Sequence, residues 1–402
     1  MSLFKKIQIP VIALLMLAIA CKPKTDGSIE IVSVGGEEVC VIHADKISRS
    51  EEVKISDWVK DLRIIQLEAN KESSFDYIMR VYVGKDYILI STINQGILMF
   101  DQNGKFIRTL AAHGRGPGEV TDANRNIFVD EKNDRLYATD MMMLTDRLIS
   151  YGIHTRDFKI LENMHKGLEI GIRDVIVRDD SLMYMTPMQV RGGKSDCPLF
   201  CQTTSGRLLW ETKMINPLGI TDASIEMVGG QIFMYYNFVT DTIWRLNGSK
   251  LTPVIVLASE AKRAFLKEEI GSIYLGMSPV TDQIFIGYYA AIKSLDMDKR
   301  YGRVRPTYST REHFIFNLKT RQVANIGSVK NDFLGLDKDF YPRFQPNGVM
   351  TASFQALDLR EMADSVSRLP GTSPEVKKRL ENILQTVTDN DNPILLVGKL
   401  KI

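Results

Sequence analysis

Few residues in this sequence are arranged to do covalent chemistry. Neither a Gly-x-Ser-x-Gly elbow nor a His-Glu-x-x-His pair is present, so the local patterns for a serine nucleophile and a helical zinc site are missing. Gly192-Gly-Lys-Ser195 imitates the end of a phosphate-binding loop, but position 188 is Met where that loop needs Gly. The five histidines (43, 113, 154, 165 and 313) stand singly. What remains are polar and aromatic groups suited to recognition. From Lys293 to Arg311 six basic residues face Asp296 and Asp298, a local excess of 6 − 2 = +4. Within that stretch Arg300, Arg303 and Arg305 alternate with Tyr301 and Tyr308. Guanidinium forks suit carboxylate or phosphate, and tyrosine rings suit sugar faces. Asp296-Met-Asp298 followed by Gly302 hints at calcium, yet lacks the further oxygen ligands of a loop site. A second candidate is the glycine-rich run His113-Gly-Arg-Gly-Pro-Gly-Glu119, in which Arg115 and Glu119 face a ligand or clasp the chain to itself. Arg191, in a loop from Gln189 to Asp196, is a third. No catalytic residue, metal ligand or cofactor is assigned from these patterns.

These residues need a scaffold, and the turns reveal it. Between residues 77 and 112 four short apolar runs are separated by Lys85-Asp86, Asn94 to Gly96 and Asn103-Gly104. Asn-Gly between apolar runs marks a hairpin, because both residues adopt positive φ cheaply. Corresponding turns recur at Asn133-Asp134, Asp179-Asp180, Gly229-Gly230, Thr281-Asp282 and Asn347-Gly348. A second series runs through His154-Thr155, Ser205-Gly206, Gly248-Ser249 and Lys319-Thr320. A repeat of roughly 40 to 50 residues with four strands predicts a β-propeller. The last unit lacks a strand, which Leu62-Arg-Ile-Ile-Gln-Leu-Glu68 would supply, closing the ring and removing its open edge. The expectation is an all-β, six-bladed β-propeller over residues 58–402; a seven-bladed ring and a pair of β-sandwiches are the alternatives. Strand alternation puts tight turns on one face and long connections on the other. Those long elements are the Gly114 to Glu119 link, the Gln189 to Asp196 loop, an insertion from Ile292 to Thr310, and a segment from Leu357 to Asn392. In the last, Ser373 caps and Pro374 opens a helix carrying Val376, Leu380, Ile383, Leu384 and Val387 on one side. That helix is expected over the propeller mouth.

The N-terminus sets the compartment. Lys5 and Lys6 precede the apolar run Val11 to Ala20, which is shorter than the roughly 20 residues a membrane-spanning helix needs and fits a signal peptide over residues 1–20. Leu17-Ala18-Ile19-Ala20-Cys21 resembles the lipobox of bacterial lipoproteins, with Leu one place early. The resemblance implies cleavage before Cys21, lipidation of that cysteine and a membrane anchor. Residues 21–57 would form a tether with some strand content near Ile29 to Ile42. The short sequence after Cys21 lacks an acidic run, which leans an outer-membrane lipoprotein to the periplasmic side rather than the cell surface. Without Lys5 and Lys6, 51 − 2 = 49 basic residues balance 49 acidic ones, so a general nucleic-acid binder is not expected. Of the odd number Cys40, Cys197 and Cys201, the pair Cys197 and Cys201 reads as buried small hydrophobes, and the sequence assigns no fate to Cys40.

Three stretches together carry a family resemblance: His113 to Glu119, Ile65 to Glu68, and Asp391-Asn-Pro-Ile-Leu-Leu-Val397. They are similar to the six-bladed β-propeller lipoproteins of Bacteroidetes. The resemblance implies fold and export and is silent on ligand. Function follows the site rather than the fold. The leading expectation is a non-catalytic cell-envelope module binding a glycan, peptide or protein. The alternatives are a metal-dependent hydrolase or lactonase of the gluconolactonase type, with ligands converging in the channel, and a structural subunit of an outer-membrane complex.

Overall fold

The computed structural model describes residues 27–121, 127–142, 145–161, 170–179, 182–189, 199–212, 223–236, 242–258, 273–298, 303–308, 312–327, 329–340 and 342–401. The chain is all-β, with six blades in a propeller arrangement and two long helices. It divides into two compact units, residues 1–51 with 228–327 and residues 52–227 with 328–402.

The larger unit holds four blades. Blade one is Ile78–Val83, Tyr87–Thr92, Ile97–Asp101 and Phe106–Ala111. Blade two is Ile127–Asp130, Arg135–Met142, Thr145–Gly152 and Phe158–Leu161, and blade three is Ile170–Arg178, Leu182–Gln189, Phe200–Gln202 and Leu208–Glu211. All are antiparallel, with neighbours in chain order. The expected turns do the reversing: Asp134, Arg156 and Asp179 take φ of 56°, 65° and 53°, and Gly104, Gly206 and Gly348 take 86°, 87° and 76°. Gly104 is doubly constrained, since a Cβ there would lie 2.2 Å from the Gln66 carbonyl oxygen.

Blade six is assembled from both ends of the unit. Arg343–Phe344, Val349–Phe354, Ile394–Leu400 and Val59–Ile65 lie in that order, with Leu395 opposite Ile65 and Leu400 opposite Val59. The closing strand is therefore present, but it starts at Val59 and stops at Ile65, not Glu68. The reason is hydrogen bonding. Beyond Ile65 the chain leaves this ladder: the Glu68 amide donates to the Gly104 carbonyl (2.8 Å) and the Glu68 carboxylate accepts from the Phe106 amide (2.9 Å). Gln66 donates to Asp391 (2.7 Å). Blades six and one are thus joined through Gln66 and Glu68.

Two helices interrupt blade six, Ala356–Ser367 and Pro374–Thr386. The second has the expected cap, the Ser373 hydroxyl accepting from the Val376 amide at 3.3 Å. The first was not read from the sequence. Leu359, Ala363, Leu380, Ile383 and Val387 form one buried cluster with Leu334, Leu336 and Ile394. A small sheet of Val53–Lys54, Val329–Asn331 and Leu336–Phe340 lies in the same unit. There the Ser56 hydroxyl donates to Asp332 at 2.5 Å.

In the smaller unit, blade four contributes Gln231–Tyr236, Thr242–Asn247 and Lys250–Ala258, reached through Ala223–Val228. Within the segment read as a tether, Ile29–Val34 and Glu37–His43 form a hairpin. Its second strand adds in parallel to Lys250–Ala258, with Cys40 opposite Ile255. Blade five is Ile273–Pro279, Ile284–Asp298, Glu312–Asn317 and Gln322–Ile326. Phe233, Phe285, Phe314 and Phe316 fill the core of this unit beside Ile42 and Ile255.

Candidate functional site

The glycine-rich link turns back on itself. Gly114 donates to the Val120 carbonyl (3.1 Å), Val120 to Ala112 (2.9 Å) and Glu119 to Gly116 (3.1 Å). The Glu119 carboxylate accepts from the Gly116 amide at 2.7 Å, so it is engaged by its own loop. Each glycine has a reason. A Cβ on Gly114 would fall 2.0 Å from that carboxylate, and one on Gly118, at φ +77°, would fall 2.7 Å from the Phe158 ring. Tyr151 donates its hydroxyl to the Gly118 carbonyl (3.2 Å). Arg115 points into solvent from this clasp.

The basic insertion of blade five is a β-hairpin arm. Ile284–Asp298 runs 15 residues, and Arg303–Tyr308 pairs back along its far half. The register sets Arg305 opposite Asp296, Arg303 opposite Asp298 and Tyr308 opposite Ile292. Arg191, Arg300 and Tyr301 lie outside the described residues, as does Cys197.

A concave site that the sequence reading passed over lies in the larger unit. An open cleft of about 120 Å³ is lined by Ser74, Phe75, Asp76, Tyr77, Thr92, Ile93, Asn94 and Gln95. One wall is the segment entering blade one; the other is the turn between its second and third strands. Both walls are fixed from behind. The amide side chain of Asn392, 1% exposed, accepts from the Phe75 amide and donates to the carbonyls of Glu68 and Ser73, each at 2.9 Å. Gln355 donates to the Asp76 carbonyl (3.0 Å). On the opposite wall the Thr92 hydroxyl accepts from the Gln95 amide (3.0 Å) and donates to the Gly96 carbonyl (3.1 Å). Gly96 holds φ +83° in that turn. The backbone is thus committed, while the side chains of Ser74, Asp76, Asn94 and Gln95 make no hydrogen bond to any described residue. Tyr77 stands just outside the strand, 60% exposed, with Ile93 at 40%. Asn94 to Gly96 had been read only as a turn; the exposure of Tyr77 arises because the ladder begins one residue later, at Ile78.

Elsewhere in this unit His154 lies 2.5 Å from Asp134 and edge-on to Tyr87, on the tight turns of blades one and two. Burial raises the Tyr82 and Tyr87 hydroxyls far above the usual tyrosine range. Among the described residues no three His, Cys, Asp or Glu side chains converge as a metal site. None of the described helices is long and apolar enough to cross a membrane.

A family model covers residues 38–399, nearly the whole folded chain. The chain belongs to the DUF4934 family, described as a domain of unknown function. The match begins in the Glu37–His43 strand and ends in the Ile394–Leu400 strand, so the added hairpin strand and the closing blade both fall within the family's unit. Among solved structures, a Bacteroides fragilis NCTC 9343 protein provisionally named as exported shares the fold, with TM-score 0.60 and 15% identity over 88% of this chain and 98% of that one. An oligogalacturonate lyase from Vibrio parahaemolyticus aligns over 92% of this chain and 96% of its own, with TM-score 0.39 and 11% identity, too loosely to inform function. No curated relative matches the sequence.

Proposed function

We propose that this member of the DUF4934 family is a non-catalytic binding or scaffold module of the cell envelope. It takes a glycan, peptide or protein partner. The observation that carries the reading is the Tyr77 cleft: its backbone is held by Asn392, Gln355 and Thr92, and four polar side chains are left uncommitted around an exposed ring. A pocket whose walls are fixed before binding loses little entropy on capture, and loops on a rigid scaffold are where recognition concentrates. The arm of blade five, with Arg303, Arg305 and Tyr308 on its second strand and Arg300 and Tyr301 just before that strand in the sequence, supplies a second contact for anionic groups. Arg115 and Arg191 serve as further contacts, and Glu119 positions the link that carries Arg115.

Export fits the Lys5-Lys6 leader and the provisional naming of the Bacteroides neighbour. Lipidation at Cys21 anchors the module to the outer membrane, on its periplasmic side. Two measurements test the reading. Acyl labelling and fractionation should show a lipidated membrane form that Cys21→Ser converts to an unlabelled soluble one; unlabelled wild type would overturn the anchor. Binding of the full chain to panels of envelope polysaccharides and peptides should fall when Tyr77→Ala or the pair Arg303→Glu, Arg305→Glu is introduced. Turnover of a panel member would overturn the non-catalytic assignment.

A further inference from the structure

The cleft narrows the ligand class, an inference resting on the binding-module reading. Its lining contains one carboxylate (Asp76), two primary amides (Asn94, Gln95), three hydroxyls (Ser74, Tyr77 and Thr92, the last held within its own turn) and no Lys or Arg. An anionic ligand finds no counter-charge here, and the only ionised group would repel it. Amides, hydroxyl and carboxylate together both donate and accept, which is what a ring bearing several hydroxyls requires, each hydroxyl being donor and acceptor at once. Tyr77 adds a flat apolar face with a polar tip, at 60% exposure. A pyranose has the matching pair of surfaces, an apolar C–H face and an equatorial rim of hydroxyls. A peptide would present a backbone seeking a strand edge; Tyr87–Thr92 and Ile97–Asp101 are interior to blade one and already paired, while Ile78–Val83, which begins just beyond Tyr77, is an edge strand of that blade, so the preference for a saccharide rests on the chemistry of the lining. At about 120 Å³ and open to solvent, the cleft is below the several hundred Å³ of pockets that engulf a whole ligand. It therefore receives one ring of a longer chain.

We propose that the Ser74–Tyr77 and Thr92–Gln95 walls form a subsite for one uncharged pyranose unit of a neutral polysaccharide, with Tyr77 as the stacking platform and Asp76, Asn94 and Gln95 reading the hydroxyls. The cleft shares no lining residue with the basic arm, and its binding should be nearly independent of salt, because no ion pair forms.

The test is titration calorimetry of the purified full chain against neutral tetrasaccharides of glucose, galactose, mannose and xylose, with an oligogalacturonate tetramer and a mixed peptide library alongside. The expected result is binding of at least one neutral tetrasaccharide, weakened tenfold or more by Tyr77→Ala, retained within about threefold by Tyr77→Phe, and weakened by Asn94→Ala. Raising sodium chloride from 50 to 500 mM should change it less than twofold. Far-ultraviolet dichroism and unchanged denaturation midpoints confirm that the variants fold. If only peptides bind, and Tyr77→Ala abolishes it, the saccharide assignment falls while the binding module stands. Oligogalacturonate binding lost on Arg303→Glu moves the site to the arm and overturns this one. Neutral saccharide binding indifferent to Tyr77→Ala also overturns it. Failure of every probe removes both the subsite and the reading beneath it.

Discussion

Asn392 shows how much one side chain can organise. It is buried, and all three of its hydrogen bonds go to backbone groups more than 300 residues earlier. Asn392→Ala would remove the partner of the Phe75 N–H and of the Ser73 carbonyl, while the Glu68 carbonyl keeps the Ser73 hydroxyl, at a cost of about 1–3 kcal/mol for each group that water cannot reach. The expected outcome is a loss of at least about 2 kcal/mol in denaturant unfolding and faster amide exchange at Phe75. The cysteines make a second, pH-dependent case. Burial pushes the Cys40 and Cys201 thiols up to about 11 from an ordinary 9.0. A folded-state value above the unfolded one means the thiols' stabilising contribution is intact below pH 9 and is lost as pH rises toward about 11. Tyr82 and Tyr87 add to the same alkaline slope. Unfolding midpoints between pH 8 and 10.5 should fall, and fall less steeply when Cys40 and Cys201 are both alanine. Of these residues the sequence marks Cys201 as buried and Asp391-Asn-Pro as a motif, but it is silent on Cys40, and no local pattern tells what Asn392 holds.

The helical pair of blade six is the clearest case at the level of the element. Its second helix was legible because the cap, the N-terminal proline and a 3.6-residue apolar stripe are all local. Its first helix was not, since its apolar face is narrow: only Ala356, Leu359 and Ala363 are buried. The two are tied by more than packing. Arg360 pairs with Asp389 (3.0 Å) and donates to the carbonyls of Leu384 and Val387, covering the C-terminal end of the second helix. Arg379 lies 3.7 Å over the Phe333 ring. Ser373→Ala is expected to cost about 1 kcal/mol, and Leu380→Ala about 2–5 kcal/mol, since a fully buried leucine leaves a cavity. Equilibrium denaturation of both variants checks the ranking. Equal costs would mean that the helix is held by its cap rather than by its buried face.

For the whole molecule the decisive contact is Val59–Ile65 against Ile394–Leu400. Removing residues 1–65 leaves unpaired the edge of Ile394–Leu400 that faced Val59–Ile65, and an open strand edge pairs with another chain. Light scattering should show such a truncated chain as oligomers or aggregate, whereas full-length protein with Leu380→Ala stays in its native association state. A truncated chain with unchanged size and midpoint would show that blade six does not need its fourth strand.

What the sequence determined is what local chemistry can encode. Glycine and Asp at positive-φ turns every 40 to 50 residues announce strands, their count per blade and six blades, because each turn is satisfied by its own few residues. It also set the basic character of the arm segment. Tertiary structure decided the rest. That Glu37–His43 adds in parallel to Lys250–Ala258, that Gln66 bonds Asp391 while Glu68 crosses to blade one, and that Asp76, Tyr77, Asn94 and Gln95 share a cleft are long-range outcomes. Their residue types are ordinary for turns and strand ends. Only the folded chain, by fixing their backbones from Asn392 and Gln355 and leaving their side chains free, turns them into a site.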